Sequence, residues 1–167
     1  METFEAISKR VSVREYEPRA VPKALIETIV DAARRAPTAR AIEPWEFIVI
    51  TEKDVLQKLG SIAANNGSFI KEAAACIALY CRDTKYYLED GSAATENILL
   101  EATNNGLGSC WVAGDKKPYA EEVSQLLGVP AGFKLVSLIP LGWPKKEVGQ
   151  KKSRKLEDVI HWERFQK

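Results

Sequence analysis

The chain has 167 residues, in which 24 basic residues are balanced by 23 acidic ones to give a formal net charge of +1. This length suits one domain over residues 1–167, and the balanced charge excludes a global field that would attract nucleic acid or an anionic membrane. Because no apolar run reaches the roughly 18 residues that span a bilayer and no signal-peptide pattern occurs, we expect a cytoplasmic protein.

The first predicted elements are two helices and a stiff loop. A short helix capped by Thr3 would turn Phe4 and Ile7 towards the interior. A longer helix over residues 22–35 is stopped by Pro37. The loop that follows contains two prolines, and loops held this stiffly often carry functional sites.

Four strands, of which the first two read as buried, and three more helices follow. Strands are predicted over residues 45–51, 75–81, 108–114 and 134–141, and helices over residues 54–65, 92–105 and 119–127. Strands separated by helices indicate a layered arrangement. The helix over residues 92–105 has almost no polar face, so it lies either centrally in the monomer or against a partner. The polar segment 86–90 is a candidate substrate-covering loop, or only a surface loop.

The segment Arg10-Val11-Ser12-Val13-Arg14 is a candidate anion site. Residues two apart on an extended chain share a face, so Arg10, Ser12 and Arg14 can converge on one group. Two guanidinium forks and a hydroxyl suit the oxygens of a phosphate, whereas the alternative is a solvated basic turn. A second basic cluster, residues 151–155, would either complete this site or form a solvated tail.

Residue counts argue against several kinds of chemistry. The chain has one histidine, His161, and no G-x-S-x-G motif, so a hydrolase triad is not expected. Three cysteines without C-x-x-C spacing indicate reduced core residues and no metal site. No P-loop motif is present, and Gly106-Leu107-Gly108 lacks the third glycine of a dinucleotide turn. An anion site here would therefore lack the usual nucleotide fingerprints.

Taken together, these motifs resemble the FMN-dependent nitroreductase family. Its members open with an R-x-S-[VI]-[RK] segment, as in residues 10–14, and carry a P-[ST]-x-x-N-x-Q-P-W loop, which residues 37–45 resemble. Residues 93–100, 106–111 and 141–144 look like later blocks of the family, and residues 152–154 are similar to its C-terminal K-x-R pair. The resemblance spans nearly the whole chain in the family's order.

The resemblance implies where the chain would hold FMN. Arg10 and Ser12 would bind the phosphate and ribityl end, joined by Lys152 and Arg154. Arg14 would lie near N1 and O2 of the flavin, where a fixed cation favours the negative charge that reduction creates. No catalytic side chain is implied, since the flavin carries the chemistry.

Two further segments are implied to contact the flavin. Backbone N–H groups of Val112 to Gly114 would face N5, and Pro37 and Thr38 would approach from the second subunit. The complete set of implied cofactor-binding residues is Arg10, Val11, Ser12, Arg14, Pro37, Thr38, Ala39, Ala41, Asn66, Trp111, Val112, Ala113, Gly114, Lys152 and Arg154.

Two positions of the proline loop depart from the family's pattern. Ala41 stands where the pattern has Asn, and Glu43 where it has Gln. A methyl group cannot make the hydrogen bonds of an amide, and the neighbouring Arg40 is a candidate substitute. Glu43 would add negative charge near the cofactor unless it pairs with a base such as Arg40 or Arg14.

The resemblance implies an α+β fold, a three-layer α/β/α sandwich with a mixed four- to five-stranded sheet. It would assemble as an intertwined homodimer with two FMN sites at the interface, much of it supplied by the helix over residues 92–105. The implied function is transfer of hydride from NAD(P)H through FMN to a small acceptor, such as a nitroaromatic or a quinone, in two half-reactions. The alternatives are an FMN storage or sensor protein, or a structural homodimer without cofactor in which Trp111 and Trp143 are only core residues.

Overall fold

The computed structural model describes residues 1–166. The helices are α1 (Thr3–Lys9), α2 (Lys23–Ala33), α3 (Lys53–Ile62), α4 (Ala64–Gly67), α5 (Tyr87–Asn104) and α6 (Ala120–Leu127), with 3₁₀ helices at Ala39–Ala41, Ser68–Glu72 and Leu156–Asp158. The strands are β1 (Trp45–Ile50), β2 (Ala75–Arg82), β3 (Gly108–Ser109), β4 (Val112–Ala113) and β5 (Phe133–Gly142). Within this range no helix has both the length and the apolar character needed to cross a bilayer.

The strands form one sheet in the order β1-β2-β5-β3, and β4 also pairs with β5. The predicted number of strands is confirmed, but their direction differs from the mixed sheet expected. All four ladders are antiparallel, and parallel pairing among the described residues is limited to one bridge between Ser12 and Ser109. Helices between strands often lead to a parallel neighbour. Here α3 packs against the 3₁₀ helix Ser68–Glu72, and this unit returns the chain so that β2 runs antiparallel to β1.

Helices cover both faces of the sheet. Ile77 and Leu79 of β2 belong to the core formed with α2 and α5. Ala78 and Tyr80, which point to the opposite face, belong to the core formed with α3 and α6. Because β2 is covered on both sides, its sequence is a continuous apolar run without polar alternation. The predicted three-layer α+β sandwich is confirmed.

The central helix of the fold is α5. Its Ala94, Ile98 and Ala102 recur every four residues and are fully buried. Gly91 lets the helix approach the sheet closely, since a Cβ atom there would lie 2.7 Å from Cγ2 of Val136 in β5. The helix therefore takes a central position in the monomer, which is one of the two positions that the sequence predicts.

The start of α5 corrects the prediction for the segment 86–90. The helix begins at Tyr87, five residues before its expected start, and the N–H of Asp90 donates to the carbonyl of Tyr86 over 3.0 Å. The proposed substrate-covering loop is therefore wrong, because this segment is a helical turn. Its acidic residues, Glu89 and Asp90, are typical of a first turn, where the helix dipole favours negative charge.

Helix α1 also differs from the prediction. Its N-cap residue is Glu2, not Thr3, and no side chain caps the helix. Ala6 is the buried residue of the helix, whereas Phe4 is 80% exposed and Ile7 is 47% exposed. The hydrophobic spacing identified an apolar face formed by Phe4 and Ile7. In the monomer, however, the helix packs through the small residue Ala6, and the two larger side chains remain exposed.

The remaining boundaries agree with the predictions to within a few residues, with one exception. Residues 108–114 form two short strands, β3 and β4, separated by Cys110 and Trp111, and not the single strand expected. The three cysteines are free and buried, as predicted. Burial raises the pKa of the Cys76 and Cys81 thiols to about 12, so both stay protonated at neutral pH.

Candidate functional site

The candidate anion segment is an extended strand-like stretch fixed to β3. The N–H of Val13 donates to the carbonyl of Ser109 over 2.9 Å, and Ser12 forms the parallel bridge to the same residue. Val13 is buried under Gly108, where a Cβ atom would lie only 2.7 Å from its Cγ1. Because Val13 faces the core, the residues on either side of it, Ser12 and Arg14, are turned away from it.

A buried thiol, Cys110, directly follows Ser109, the residue of β3 to which this segment is bonded. Burial raises the pKa of Cys110, while the positive charges of Arg14 and Arg10 and the Ser12 hydroxyl act in the opposite direction. The Arg14 guanidinium also lies over the ring of Phe69, 5.7 Å from its centroid.

Arg10 lines a cavity of about 370 Å³ at the surface of α5. The residues around it are Ile7, Arg10, Glu96, Leu99, Trp111, Gln150 and Lys152. Lys152 and Arg10 come from opposite ends of the chain, so the fold brings the two predicted basic clusters together at this point. Arg10 is only 23% exposed, and its Nε lies 4.0 Å from the Glu96 carboxylate. Gln150 fixes the backbone by donating to the carbonyl of Arg10 over 2.8 Å.

The segment predicted to face flavin N5 offers fewer backbone donors than expected. The N–H of Gly114 donates to the carbonyl of Val136 over 2.9 Å, so it is already used within the sheet. Val112 and Ala113 pair with β5 opposite Leu138 and Ser137. Backbone groups alternate in direction along an antiparallel strand, so Val112 faces β5 as Gly114 does, whereas Ala113 faces away. Of the three predicted donors, the Ala113 N–H is the one directed away from the sheet.

Asn66 lies next to this outward-facing residue. Helix α4 packs on β4, where a Cβ atom on Gly67 would lie 3.0 Å from Cγ1 of Val112. The hydroxyl of Tyr119 donates to the carbonyl of Ala113. Burial raises the pKa of Tyr119, and a side-chain hydrogen bond with Asn66 opposes that rise. The predicted site residues Asn66 and Ala113 thus lie on two elements that pack together, α4 and β4.

The proline loop has an unusual backbone. Arg40, Ala41 and Glu43 have φ values of 58°, 53° and 46°. These values lie in the left-handed region of backbone conformation, which residues other than Gly and Asn rarely adopt. Ala41 and Glu43, the two departures from the family's pattern, are exposed. Neither of the suggested ion pairs of Glu43, with Arg40 or Arg14, forms among the described residues.

The first turn of α5 holds both loops of the candidate site. The Asp90 carboxylate accepts hydrogen bonds from the Thr38 hydroxyl and from the N–H of Ala39, which fixes the proline loop. Three residues earlier, at the start of the helix, the hydroxyl of Tyr87 donates to the Asp115 carboxylate over 2.5 Å, which fixes the segment after β4. That bond is the main cause of the rise of the Tyr87 pKa to about 12.

The structure does not bring all predicted residues together within one chain. Arg154 donates to the carbonyl of Asp158, inside the C-terminal segment. Among residues 1–166 no hydrogen bond or ion pair joins the loop of residues 37–43 to residues 10–14. Asp90, which holds the loop, and Glu96, which faces Arg10, are six residues apart on α5, or about 9 Å along its axis.

Sequence reasoning did not assign four residues of this region to the site, namely Tyr87, Asp90, Glu96 and Tyr119. Tyr87 and Asp90 lie in the predicted loop 86–90, and Glu96 lies in the family-like block 93–100. The first three act through contacts with segments far away in the sequence, whereas Tyr119 donates to the carbonyl of Ala113, six residues before it. One signal was available for Asp90. It is four residues before Ala94 and eight before Ile98, so it continues the buried face of α5.

Comparisons with known proteins agree with this architecture. Residues 2–166 match the family model described as "Putative TM nitroreductase". A protein of Methanothermobacter thermautotrophicus named "Putative NADH dehydrogenase/NAD(P)H nitroreductase" is 34% identical over 173 residues, covering 99% of this chain and 88% of that protein. The solved structure of an FMN-dependent nitroreductase from Clostridium difficile R20291 superposes with a TM-score of 0.91 at 28% identity, covering 97% of this chain and 99% of that one. The resemblance inferred from the sequence motifs is confirmed.

The backbone at Ala41 leads to a prediction about stability. An L-residue in the left-handed region costs about 1–2 kcal/mol, and Asn is better tolerated there than Ala. We expect Ala41→Asn to raise the free energy of unfolding by roughly 0.5–1 kcal/mol in urea titrations of the flavin-free protein. Ala39→Asn, in the same loop but without a positive φ, is the matched control and should not be stabilised. Equal effects of the two substitutions would contradict the prediction.

Proposed function

The chain belongs to the nitroreductase family, and we propose that it is an FMN-dependent oxidoreductase that uses NAD(P)H to reduce a small acceptor such as a nitroaromatic or a quinone. The observation that carries the proposal is the meeting of Arg10 and Lys152 in one cavity at the surface of α5. When bound, FMN would supply the redox chemistry itself, by taking up hydride in one half-reaction and giving it up in the next.

The chemistry of the donor set fits the phosphate end of FMN. Arg10 offers a guanidinium fork, Lys152 an ammonium group and Ser12 a hydroxyl, and phosphate oxygens accept from all three. Arg10 is largely buried, which strengthens its attraction for an anion. Glu96 opposes this attraction, because its carboxylate lies close to the same guanidinium.

The residues near β4 fit the ring end. We assign Arg14 to the N1 and O2 side, where its charge favours the electron density gained on reduction. The contact of the guanidinium with the ring of Phe69 helps to hold that charge in place. The Ala113 N–H is directed away from the sheet and is the backbone donor available for the flavin edge. Asn66 adds an amide on the same side.

We further propose that the protein is a homodimer in which each FMN site is shared. Phe4 and Ile7 of α1 lie exposed beside the Arg10 cavity, and Leu156, Trp162 and Phe165 lie exposed on the C-terminal segment. Apolar surface of this extent is usually covered by a partner. A second copy would bury it, and it would bring the proline loop of one subunit to the basic cluster of the other.

A second candidate function is storage or sensing of FMN without turnover. It is favoured by Ala41 and Glu43, because a methyl and a carboxylate replace two amides that the family's pattern places in the proline loop. Binding of the cofactor alone does not separate the two functions. Reduction of the bound flavin by a nicotinamide does.

The proposed function predicts a yellow protein that is bleached by NADH or NADPH. The purified protein, or the protein titrated with FMN, should show the flavin absorption bands, and anaerobic addition of either nicotinamide should remove them within the time of turnover. Addition of a quinone should then restore the bands. Bound flavin that no nicotinamide reduces would favour storage, and a protein that takes up no FMN would refute both functions.

The Arg10 cavity predicts opposite effects of two neighbouring charges on phosphate affinity. Lys152→Ala should weaken binding of FMN by about 1.5–3 kcal/mol, as for one charged hydrogen bond, and should affect riboflavin much less. Glu96→Gln should tighten binding of FMN about two- to fivefold, as expected for a partly exposed ion pair, again without effect on riboflavin. Glu27→Gln on α2, another ion-paired carboxylate, is the matched control. Equal changes for both ligands would place the phosphate elsewhere.

The shared site predicts complementation between two inactive variants. Arg10→Glu should repel the phosphate and Thr38→Trp should overfill the loop side, so neither homodimer should bind FMN. Dimers refolded from a mixture of the two should contain one site with both changes and one site with none. That intact site should recover FMN binding and NADPH oxidation. Mixed dimers that form, as shown by mass spectrometry of tagged chains, and bind no flavin would place each site within one chain.

A further inference from the structure

Asp90 is a buried carboxylate attached to the proline loop by two hydrogen bonds. It is 5% exposed. Its Oδ2 accepts from the Thr38 hydroxyl over 2.8 Å, and its Oδ1 accepts from the N–H of Ala39 over 3.0 Å. The same Thr38 oxygen accepts from the N–H of Glu43 over 3.1 Å. One carboxylate therefore ties together the beginning and the end of the turn.

The charge of Asp90 makes this attachment strong. No Lys, Arg or His among residues 1–166 forms an ion pair with it. A buried carboxylate without a cation is costly unless hydrogen-bond donors satisfy it. The donors present are the two from the loop, supported by the positive end of the α5 dipole. If the loop moved away, the charge would lose both, so Asp90 opposes any movement of the loop.

The loop needs such an attachment because its backbone is strained. Three of the four residues from Arg40 to Glu43 have positive φ values, and none of them is glycine. Conformations of this kind persist only where surrounding contacts determine them, and they are concentrated at functional sites. The bonds to Asp90 lie at the N-terminal side of the strained turn, and the bond from Glu43 to Thr38 closes it.

We propose that Asp90 is a positioning residue of the flavin site, which locks the loop of residues 37–43 in the shape that contacts the cofactor. The inference rests on the proposed function, since it assigns the loop to the flavin. It has a specific consequence for Thr38. Because the single O–H proton of Thr38 is donated to Asp90, this residue cannot donate a hydroxyl hydrogen bond to the flavin.

The first test compares substitutions at both ends of the bond. Asp90→Asn keeps the shape of the side chain but removes the charge and one acceptor, and Thr38→Val removes the hydroxyl. Each should raise the Kd for FMN about tenfold, and the double variant should be little weaker than either, since both break the same contact. Thr38→Ser, which keeps the hydroxyl but loses the methyl group, should lose less FMN affinity than Thr38→Val does. Asp83→Asn, at an exposed carboxylate paired with Lys134, is the matched control.

A second test needs no flavin. Arg40 lies within the strained turn and is exposed, so trypsin can report on the loop through cleavage between Arg40 and Ala41. In the flavin-free protein, Asp90→Asn and Thr38→Val should accelerate this cleavage about tenfold, whereas Thr38→Ser and Asp83→Asn should not. The thermal midpoint of each variant is measured in parallel, so that loosening of the loop is distinguished from global unfolding.

The outcomes separate this inference from the proposed function. Faster cleavage at Arg40 together with unchanged FMN affinity would overturn the positioning role and leave the proposed function intact. Loss of FMN affinity that only follows a lower thermal midpoint, without selective cleavage at Arg40, would also overturn it. An unmodified protein that takes up no FMN would refute the proposed function, and the cleavage rates would still show whether Asp90 locks the loop.

Discussion

The candidate site depends on the close packing of α5 against β5. Gly91 allows this approach, since any side chain there would collide with Val136. From the same helix, Tyr87 and Asp90 reach the two loops and Glu96 reaches Arg10. A helix displaced from the sheet by one side chain would move all three contacts together. The helix–sheet distance therefore fixes both the shape of the core and the relative positions of the site's parts.

Recognition of an anion in this protein is a local matter. The chain is nearly neutral overall, so no long-range field concentrates anionic ligands at its surface. The fold instead brings Arg10 and Lys152 to one cavity and sets Glu96 beside them. The carboxylate partly neutralises the pair before a ligand arrives, which lowers the cost of keeping two cations close together. The same carboxylate would limit how tightly this cavity holds the phosphate proposed to bind there.

The sequence predicted what depends on local pattern. The buried strand β2 is a continuous apolar run, and the helix beyond it has fully buried positions every four residues. What depends on contacts between distant segments was missed. Phe4 and Ile7 show helical spacing, which identifies an apolar face of α1. The spacing does not tell whether another part of the chain covers that face, and in the monomer both residues are exposed. The first turn of α5, within residues 86–90, was predicted to be a loop because it is polar. Its polar side chains bind distant segments of the chain, and these contacts are visible only in the folded structure. The basic composition of residues 151–155 allowed either a completed anion site or a solvated tail, and the resemblance favoured the joining of Arg10 with Lys152, which no spacing along the chain would have shown.

The two departures in the proline loop can be understood from how the loop is held. The side chains of Ala41 and Glu43 make no hydrogen bond among the described residues, and both positions are exposed. The loop is closed by the backbone N–H of Glu43 and by the Thr38 hydroxyl, and it is anchored by Asp90. A loop shaped by its backbone and by a distant carboxylate does not need amides at these positions to keep its conformation. The departures therefore change the chemistry that the loop offers to a bound molecule, while its shape is held by Asp90 of α5 and by Arg82 of β2, which donates to the carbonyl of Ile42 over 3.0 Å.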